Sequence, residues 1–358
     1  MIIIVGPLPP PVHGASLVTQ KVVQRLSADG LPVLTCDTSP GNSAGRAQYH
    51  FNRLLAYIRC SGVILRRDRR TARSTAVYLG LSGGLGLLYD FIIVAVARFK
   101  QHRIIFHHHS FSYLTKRSQI MRSIVGIAGT GQLHIVLCPI MASKLRELYR
   151  PILRTEVISN FAFLDVLELD GSRSSRGLNT IGYLSNISFD KGIDRFLDMM
   201  AELRTKGSRL AGRIAGPFAD DEVRKYVEGR ILEIGGIEYV GSVFGDRKSM
   251  FLSSIDLLVF PTRYLHEAQP LVVFEAQAAG IVVSASDRGC ISQMIPAGLQ
   301  LDSTASDLRG IIDQILAWEK SPGLFLPIQE EAQDRRIELR QQQLVDSRRF
   351  RDIFSSYT

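Results

Sequence analysis

Cysteine is scarce in this chain: four residues in 358, at Cys36, Cys60, Cys138 and Cys290. Their wide spacing leaves no C-x-x-C pair to hold zinc or run dithiol chemistry, and it excludes a small secreted disulfide scaffold. The pattern suits a reduced, cytoplasmic protein with free thiols. G-x-G-x-x-G, the dinucleotide fingerprint, is absent, and so is any Asp-x-Asp that would seat a divalent ion on a diphosphate. Long apolar runs are lacking too. Met1–Val5 stops at Gly6-Pro7 with no positive charge before it, too short for the core of a signal peptide. Residues 76–97 are long enough to span a bilayer, but they contain Asp90, Ser82 and four glycines at 80, 83, 84 and 86. A buried strand over 75–81, a glycine turn and a helix from about Leu87 is the better parse. Acid is the last scarcity. Residues 1–150 hold 19 Lys/Arg against 5 Asp/Glu, a net +14, while the remainder carries −5. That imbalance, densest at Arg66, Arg67, Arg69, Arg70 and Arg73, fits either a solvated basic face or an acidic partner. The partner classes are an anionic membrane, a phosphorylated substrate or nucleic acid.

What is present is an alternation. With 46% hydrophobic and 22% charged residues, the chain is neither disordered nor a coiled coil, and it exceeds one ordinary core of about 150 residues. Short apolar runs read as strands at 2–5, 32–36, 75–81, 103–107 and 133–137, with helical patterns between them, notably 15–26. A polar stretch at 170–177 is the clearest linker. Beyond it, strands at 180–183, 213–215, 238–240, 257–260 and 281–284 alternate with helices from about Asp194 and over 270–279. The expectation is an α/β protein of two doubly wound, Rossmann-like domains facing across a cleft, with ligands at the carboxyl ends of the strands. The expected division is 1–165, 166–335, and a charged, helix-prone segment 336–358 with no obvious core of its own, packing back on the first domain.

Four segments carry candidate chemistry. In residues 266–280, Pro270 suits a first helical turn and Gly280 a stop, which places Glu267 before the helix and Glu275 inside it. The free N–H groups at Leu271 and Val272, with the positive end of the helix dipole, form a ready phosphate site. From the residues alone, an ordinary helix with an N-terminal acid and a solvated Glu accounts for the segment as well. Lys191-Gly192 follows the first strand of the second half, where Lys191 can meet a phosphate as a point charge. The loop ending at Gly14 joins a strand to a helix and lets backbone approach a ligand, or is simply a proline-stiffened turn. His107-His108-His109 ends a strand; neighbours on a strand point to opposite faces, so a metal site is disfavoured against one cleft-facing histidine or packed core histidines.

Together these segments resemble the family 4, group 1 glycosyltransferases of GT-B fold. The resemblance runs from Met1 to about residue 330 and is most specific over 260–280, similar to the family's E-x7-E segment, supported by Gly182-Tyr-Leu-Ser, Asp190-Lys-Gly192, Ile214-Ala-Gly-Pro217 and Tyr239-Val-Gly241. It implies that Glu267 contacts donor-sugar hydroxyls, Glu275 the ribose hydroxyls, and Lys191 the departing diphosphate with the helix tip at Pro270, Leu271 and Val272. The Gly14 loop closes over the phosphates, His109 lies near the donor sugar, and residues 240–243, Val243 among them, lie near the base. One departure is Tyr183, where the family carries Arg; Arg263 is the candidate substitute. Another is Ala268-Gln269 in place of the commoner Gly-Phe, a change that bears on sugar preference. The implied reaction is a retaining, metal-independent hexosyl transfer from a UDP- or GDP-sugar to a glycan or lipid-linked acceptor, in exopolysaccharide or lipopolysaccharide synthesis. No resident cofactor and no metal are implied. The basic first half then suits the inner face of the cytoplasmic membrane, and no nucleic acid is expected because the arginine run lacks interleaved aromatics. A nucleotide-sugar epimerase of the same fold and an inactive nucleotide-sugar-binding partner are the alternatives.

Overall fold

Short runs of Ile, Val and Leu become the strands of two parallel sheets, whose inner strands are largely buried on both faces while the edge strands are partly exposed. The computed structural model describes residues 1–10, 12–41, 45–67, 75–150, 152–165, 177–303 and 308–355. They divide into two units, Met1–Leu164 with His266–Gln269 and Gln343–Thr358, and Asp165–Leu265 with Pro270–Gln342.

In the first unit the order is β1 (Ile2–Gly6), α1 (Gly14–Ala28), β2 (Val33–Asp37), α2 (Arg46–Leu65), β3 (Ala76–Leu81), α3 (Leu87–Phe99), β4 (Arg103–His108), α4 (Ser112–Thr115), α5 (Gln119–Ala128), β5 (Leu133–Val136), α6 (Pro139–Leu148) and β6 (Arg154–Val157). The six strands pair in the order β2-β1-β3-β4-β5-β6, all parallel. α1 starts with a reciprocal cap: His13 Nδ1 accepts from the Ser16 N–H at 3.3 Å, and Ser16 Oγ accepts from the His13 N–H at 3.0 Å. The membrane-like run resolves into β3, a turn at Gly84–Gly86 and α3. Asp90 sits fully buried in α3, accepting from the Ser82 N–H at 2.7 Å and the Tyr57 hydroxyl at 2.8 Å. No helix among the described residues is long and apolar enough to cross a membrane.

In the second unit β7 (Thr180–Leu184), α7 (Ile193–Thr205), β8 (Ala211–Ala215), α8 (Asp221–Ile234), β9 (Ile237–Tyr239), α9 (Asp246–Ser253), β10 (Leu257–Phe260), α10 (Leu271–Ala278), β11 (Val282–Ser286), β12 (Gln300–Leu301) and α11 (Arg309–Lys320) precede the long α12 (Leu326–Ser355). The strands pair in the order β12-β11-β10-β7-β8-β9, again all parallel. The fold class is the expected one, two doubly wound α/β units.

The charged C-terminal stretch places two aromatic residues among those of the first unit: Phe350 and Phe354 of α12 are buried, Phe350 edge-on to Phe163 at 4.9 Å and Phe354 at 6.3 Å from Tyr78. They belong to the buried row Gln343, Asp346, Phe350, Phe354, whose helical spacing is masked by the arginines and glutamates between them. Of the four expected free thiols, Cys36 and Cys60 are free and buried; Cys138 and Cys290 are not free. The linker at 170–177, save Gly177, and Arg69, Arg70 and Arg73 lie outside the described residues.

Candidate functional site

In the second unit the chain runs from β7 outward to β8 and β9, and then returns to place β10 on the other side of β7. Such a reversal opens a crevice at the carboxyl ends of the two strands, where ligands of open parallel sheets bind. The loops leaving those ends are stitched together. The Arg263 N–H donates to the Asp190 carbonyl at 2.8 Å, and the Arg263 guanidinium donates to the Phe189 carbonyl at 3.1 Å. Gly192 makes the approach possible. Its φ is 79°, and a Cβ there would lie 2.0 Å from the Pro261 carbonyl oxygen, so only glycine fits.

Lys191 is thereby fixed at the mouth of the crevice, its amino group 4.9 Å from the Tyr264 ring centroid and 5.8 Å from that of Phe260. Tyr183, at the position where Arg was expected on resemblance, is a core residue. It packs 5.4 Å from Phe196 and its hydroxyl donates to the Lys191 carbonyl at 3.2 Å. Arg263, the candidate substitute, gives its guanidinium to Asp194 at 2.7 Å. Two further arginines, missed in the sequence, gather here. Buried Arg195 donates to the Pro261 and Asp302 carbonyls at 3.4 and 3.1 Å, and Arg288 donates to the Ser303 carbonyl at 2.9 Å. Burial and then Arg263 hold the Arg195 pKa below its usual value. The crevice is therefore strongly basic. Its cations come from three loops and the first turn of α7, and only their shared place after strand ends was available as a signal.

α10 opens at Pro270, whose extended backbone starts the helix, with Leu271 and Val272 half-buried in the first turn. Their N–H groups have no acceptor within the helix. Glu275 is the fifth residue of α10 and accepts from Lys248 Nζ at 2.8 Å, with the two side chains 14% and 21% exposed. Lys248, on α9, was not singled out from the sequence. Val243 is buried in the loop between β9 and α9.

The remaining candidates are in the first unit. Glu267 is buried within His266–Gln269, a segment anchored there by Gln269. The Gln269 carboxamide oxygen accepts from the Asn160 N–H at 2.7 Å, its carbonyl accepts from Asn160 Nδ2 at 3.0 Å, and its own Nε2 donates to the Leu137 carbonyl at 3.1 Å. The residue first read for sugar preference thus makes an anchoring network. Gly14, the first residue of α1, has open space where a Cβ would point. The loop before it is steadied by the Leu8 N–H donating to Asp37 Oδ1 at 3.0 Å.

Among the three histidines, His107 and His108 are fully buried and hydrogen-bonded to the hydroxyls of Tyr78 and Tyr113, and His108 meets His134 at 3.0 Å. His109, just past β4, is the half-exposed member. Burial, then the charge of His13, pushes its pKa down to about 4, so it stays neutral. Among the described residues no group of three or more His, Cys, Asp or Glu side chains is placed to hold a metal ion.

Residues 178–317, within the second unit apart from His266–Gln269, match the family described as Glycosyl transferases group 1. The chain is 29% identical over 147 residues to a lipopolysaccharide core biosynthesis mannosyltransferase, LpsB, of Rhizobium meliloti, a match covering 38% of this chain and 40% of that protein. It is 34% identical over 124 residues to a lipopolysaccharide 1,2-N-acetylglucosaminetransferase of Salmonella typhimurium, covering 33% of this chain and 32% of that protein. Both matches span less than half of the relative's length. Among solved structures, Anabaena Alr3699/HepE in complex with UDP superposes with a TM-score of 0.72 over 99% of both chains at 15% identity, a likeness of fold. Residues 178–317 thus resemble the glycosyl transferases group 1 family, in a chain whose two-unit α/β fold is that of the GT-B structures.

Proposed function

We propose that the chain is a retaining glycosyltransferase that moves a hexose-type sugar from a nucleoside diphosphate sugar to a glycan or lipid-linked acceptor of a cell-surface polysaccharide. The observation that carries the reading is the basic crevice at the strand reversal of the second unit, where the Lys191 loop is bonded to the loop after β10. A sugar diphosphate carries two negative phosphates, and each has a counterpart in this unit: Lys191 as a point charge and the N-terminus of α10 as a dipole. Glu275 accepts the ribose hydroxyls. Lys248, bonded to Glu275, holds that carboxylate in one position. Glu267 takes the donor sugar's hydroxyls, neutral His109 offers the sugar a ring N–H, the Gly14 loop covers the phosphates, and Val243 lines the base. As the anomeric C–O bond breaks, negative charge grows on the leaving diphosphate. Fixed positive charge aimed there is the electrostatic contribution usually largest in such transfers. The acceptor hydroxyl attacks the face the diphosphate leaves and passes its proton to an oxygen of that departing diphosphate, which preserves the anomeric configuration without a protein nucleophile or a metal ion. The lipopolysaccharide transferases matched above and the UDP bound by HepE support the donor class.

Thermal unfolding with UDP, GDP and their sugars tests this. A nucleoside diphosphate at a hundredfold excess over its Kd stabilises by about 2.7 kcal/mol. Raised Tm with one nucleotide series is the expected result, lost in Glu275→Ala and reduced in Lys248→Ala. No response to any nucleotide, or an unchanged response in Glu275→Ala, overturns the reading. An epimer formed from donor alone, with no acceptor present, assigns the site to an epimerase instead.

A further inference from the structure

Cys36 and Cys60, the two free thiols, belong to the first unit and take no part in the donor site. Cys36 lies at the carboxyl end of β2 and Cys60 in the second half of α2, and both are buried. The two side chains share a hydrogen bond, with the Cys60 thiol donating to the Cys36 sulfur. Cys60 Sγ is also 3.8 Å from the carbonyl oxygen of Asp37, the residue that follows Cys36. Rather than being sealed in the core, the pair lines a cavity of about 520 Å³ together with Asn52 and Arg59, so a molecule the size of water or peroxide has room beside both sulfurs. The hydrogen bond from Cys60 lowers the Cys36 pKa, and Arg67 adds to this against the opposing effect of burial. Donation to Cys36, then burial, pushes the Cys60 thiol up. One sulfur is thus favoured as a thiolate, with a second thiol in contact to resolve it, which is the arrangement of a peroxide-sensitive pair.

The residues just after Cys36 hold the loop that leads from β1 toward Gly14. Asp37 Oδ1 accepts from the Leu8 N–H at 3.0 Å and from the Ser39 N–H at 2.8 Å. Ser39 Oγ donates to the Leu8 carbonyl at 2.7 Å, and the Thr38 N–H donates to the Gly6 carbonyl at 3.1 Å. Leu8 is therefore tied through both of its backbone groups to the segment that carries Cys36. A disulfide shortens a non-bonded sulfur contact to about 2.05 Å. Its closure draws the end of β2 toward α2, and the hydrogen bonds to Leu8 lengthen.

We infer that Cys36 and Cys60 are a peroxide-oxidised pair that closes to a reversible disulfide, and that closure releases the loop before Gly14. The Cys36 thiolate attacks one peroxide oxygen; the O–O bond breaks, the other oxygen leaves as water after taking a proton, and Cys36 becomes a sulfenic acid. Cys60 then loses its proton and attacks the Cys36 sulfur; the S–O bond breaks, a second water leaves with that proton, and the S–S bond forms. The peroxide accepts the two electrons, and a thiol reductant returns them. A consequence for nucleotide binding rests on the reading of the Gly14 loop as a cover for phosphates; the disulfide itself does not.

Hydrogen peroxide added to the full chain, followed by trypsin without reductant, tests this, because Arg46, Arg53 and Arg59 separate the two cysteines. The expected result is a linked pair of peptides bearing Cys36 and Cys60, parted by dithiothreitol, with faster hydrogen exchange at Leu8 and a severalfold weaker nucleotide response. Cys60→Ser is expected to stop at the sulfenic acid, so that dimedone labels Cys36, and Cys36→Ser to leave Cys60 unlabelled. In neither variant does peroxide change exchange at Leu8, and an unchanged Tm verifies that each is folded. Peptides that stay unlinked after peroxide, or Cys60 labelled as readily as Cys36, overturn the inference. A linked pair with unchanged exchange at Leu8 overturns the release of the loop. A chain that binds no nucleotide in either redox state overturns the donor reading instead, and leaves the linked peptides and the exchange at Leu8 to decide this one.

Discussion

Two glycines, Gly192 and Gly14, separate what a residue does for the fold from what it does for a ligand. At Gly192 the positive φ and the Pro261 carbonyl leave no room for a side chain. Gly192→Ala is expected to lower stability by about 2–4 kcal/mol in urea unfolding. Around Gly14 nothing lies within 4 Å of a Cβ, so Gly14→Ala is expected to change stability by less than about 0.5 kcal/mol. If the loop covers phosphates, Gly14→Ala nevertheless weakens nucleotide binding severalfold, which titration calorimetry reads directly. At this scale the sequence showed Lys191, Gly192, Glu267 and Glu275, because each sits in a local motif. It hid Lys248, Arg195, Arg288 and the anchoring role of Gln269, whose partners are remote in the chain: Gln269 and Asn160, for instance, meet across 109 positions.

At the scale of elements, β4 and β5 place imidazoles where water does not reach. His107 and His108 are held well below the ordinary histidine pKa by burial, and His134 is pushed down to about 4 by the same cause. A depressed histidine pKa contributes stability that is whole above about 6.5 and is lost as the pH falls; for His134 the cost is on the order of 2 kcal/mol at pH 5. Asp90 works the other way. Burial raises it to about 6, so its contribution is present below about 4 and is lost as the pH rises through 6. Three imidazoles outweigh one carboxyl, and acidification from pH 7 to pH 5 is expected to lower the urea midpoint. In His134→Gln the fall is expected to be smaller; an identical slope removes the argument. Elements themselves were well legible. β10 falls on the predicted residues, and α10 runs 271–278 against an expected 270–279, because apolar runs and the Pro and Gly punctuation mark these ends. α12 was legible as a helix, but which of its residues are buried was not, since its apolar residues are few and far apart.

For the whole molecule, the two-unit plan followed from the repeated strand–helix alternation, but the interleaving of the chain did not. No local composition marks that residues 266–269 group with the first unit. The return of α12 is central to that unit: Phe354 is fully buried. Phe354→Ala is expected to destabilise by about 3–5 kcal/mol, read as a lower Tm, and deletion of residues 343–358 by considerably more. The same return has a consequence for biosynthesis. Phe350 and Phe354 are made some 190 residues after Leu164, so at about 5–20 residues per second a ribosome takes roughly 10–40 s to supply them. During that interval the nascent amino-terminal sheet waits with Tyr78 and Phe163 uncovered, and it is then that a chaperone has the most to shield.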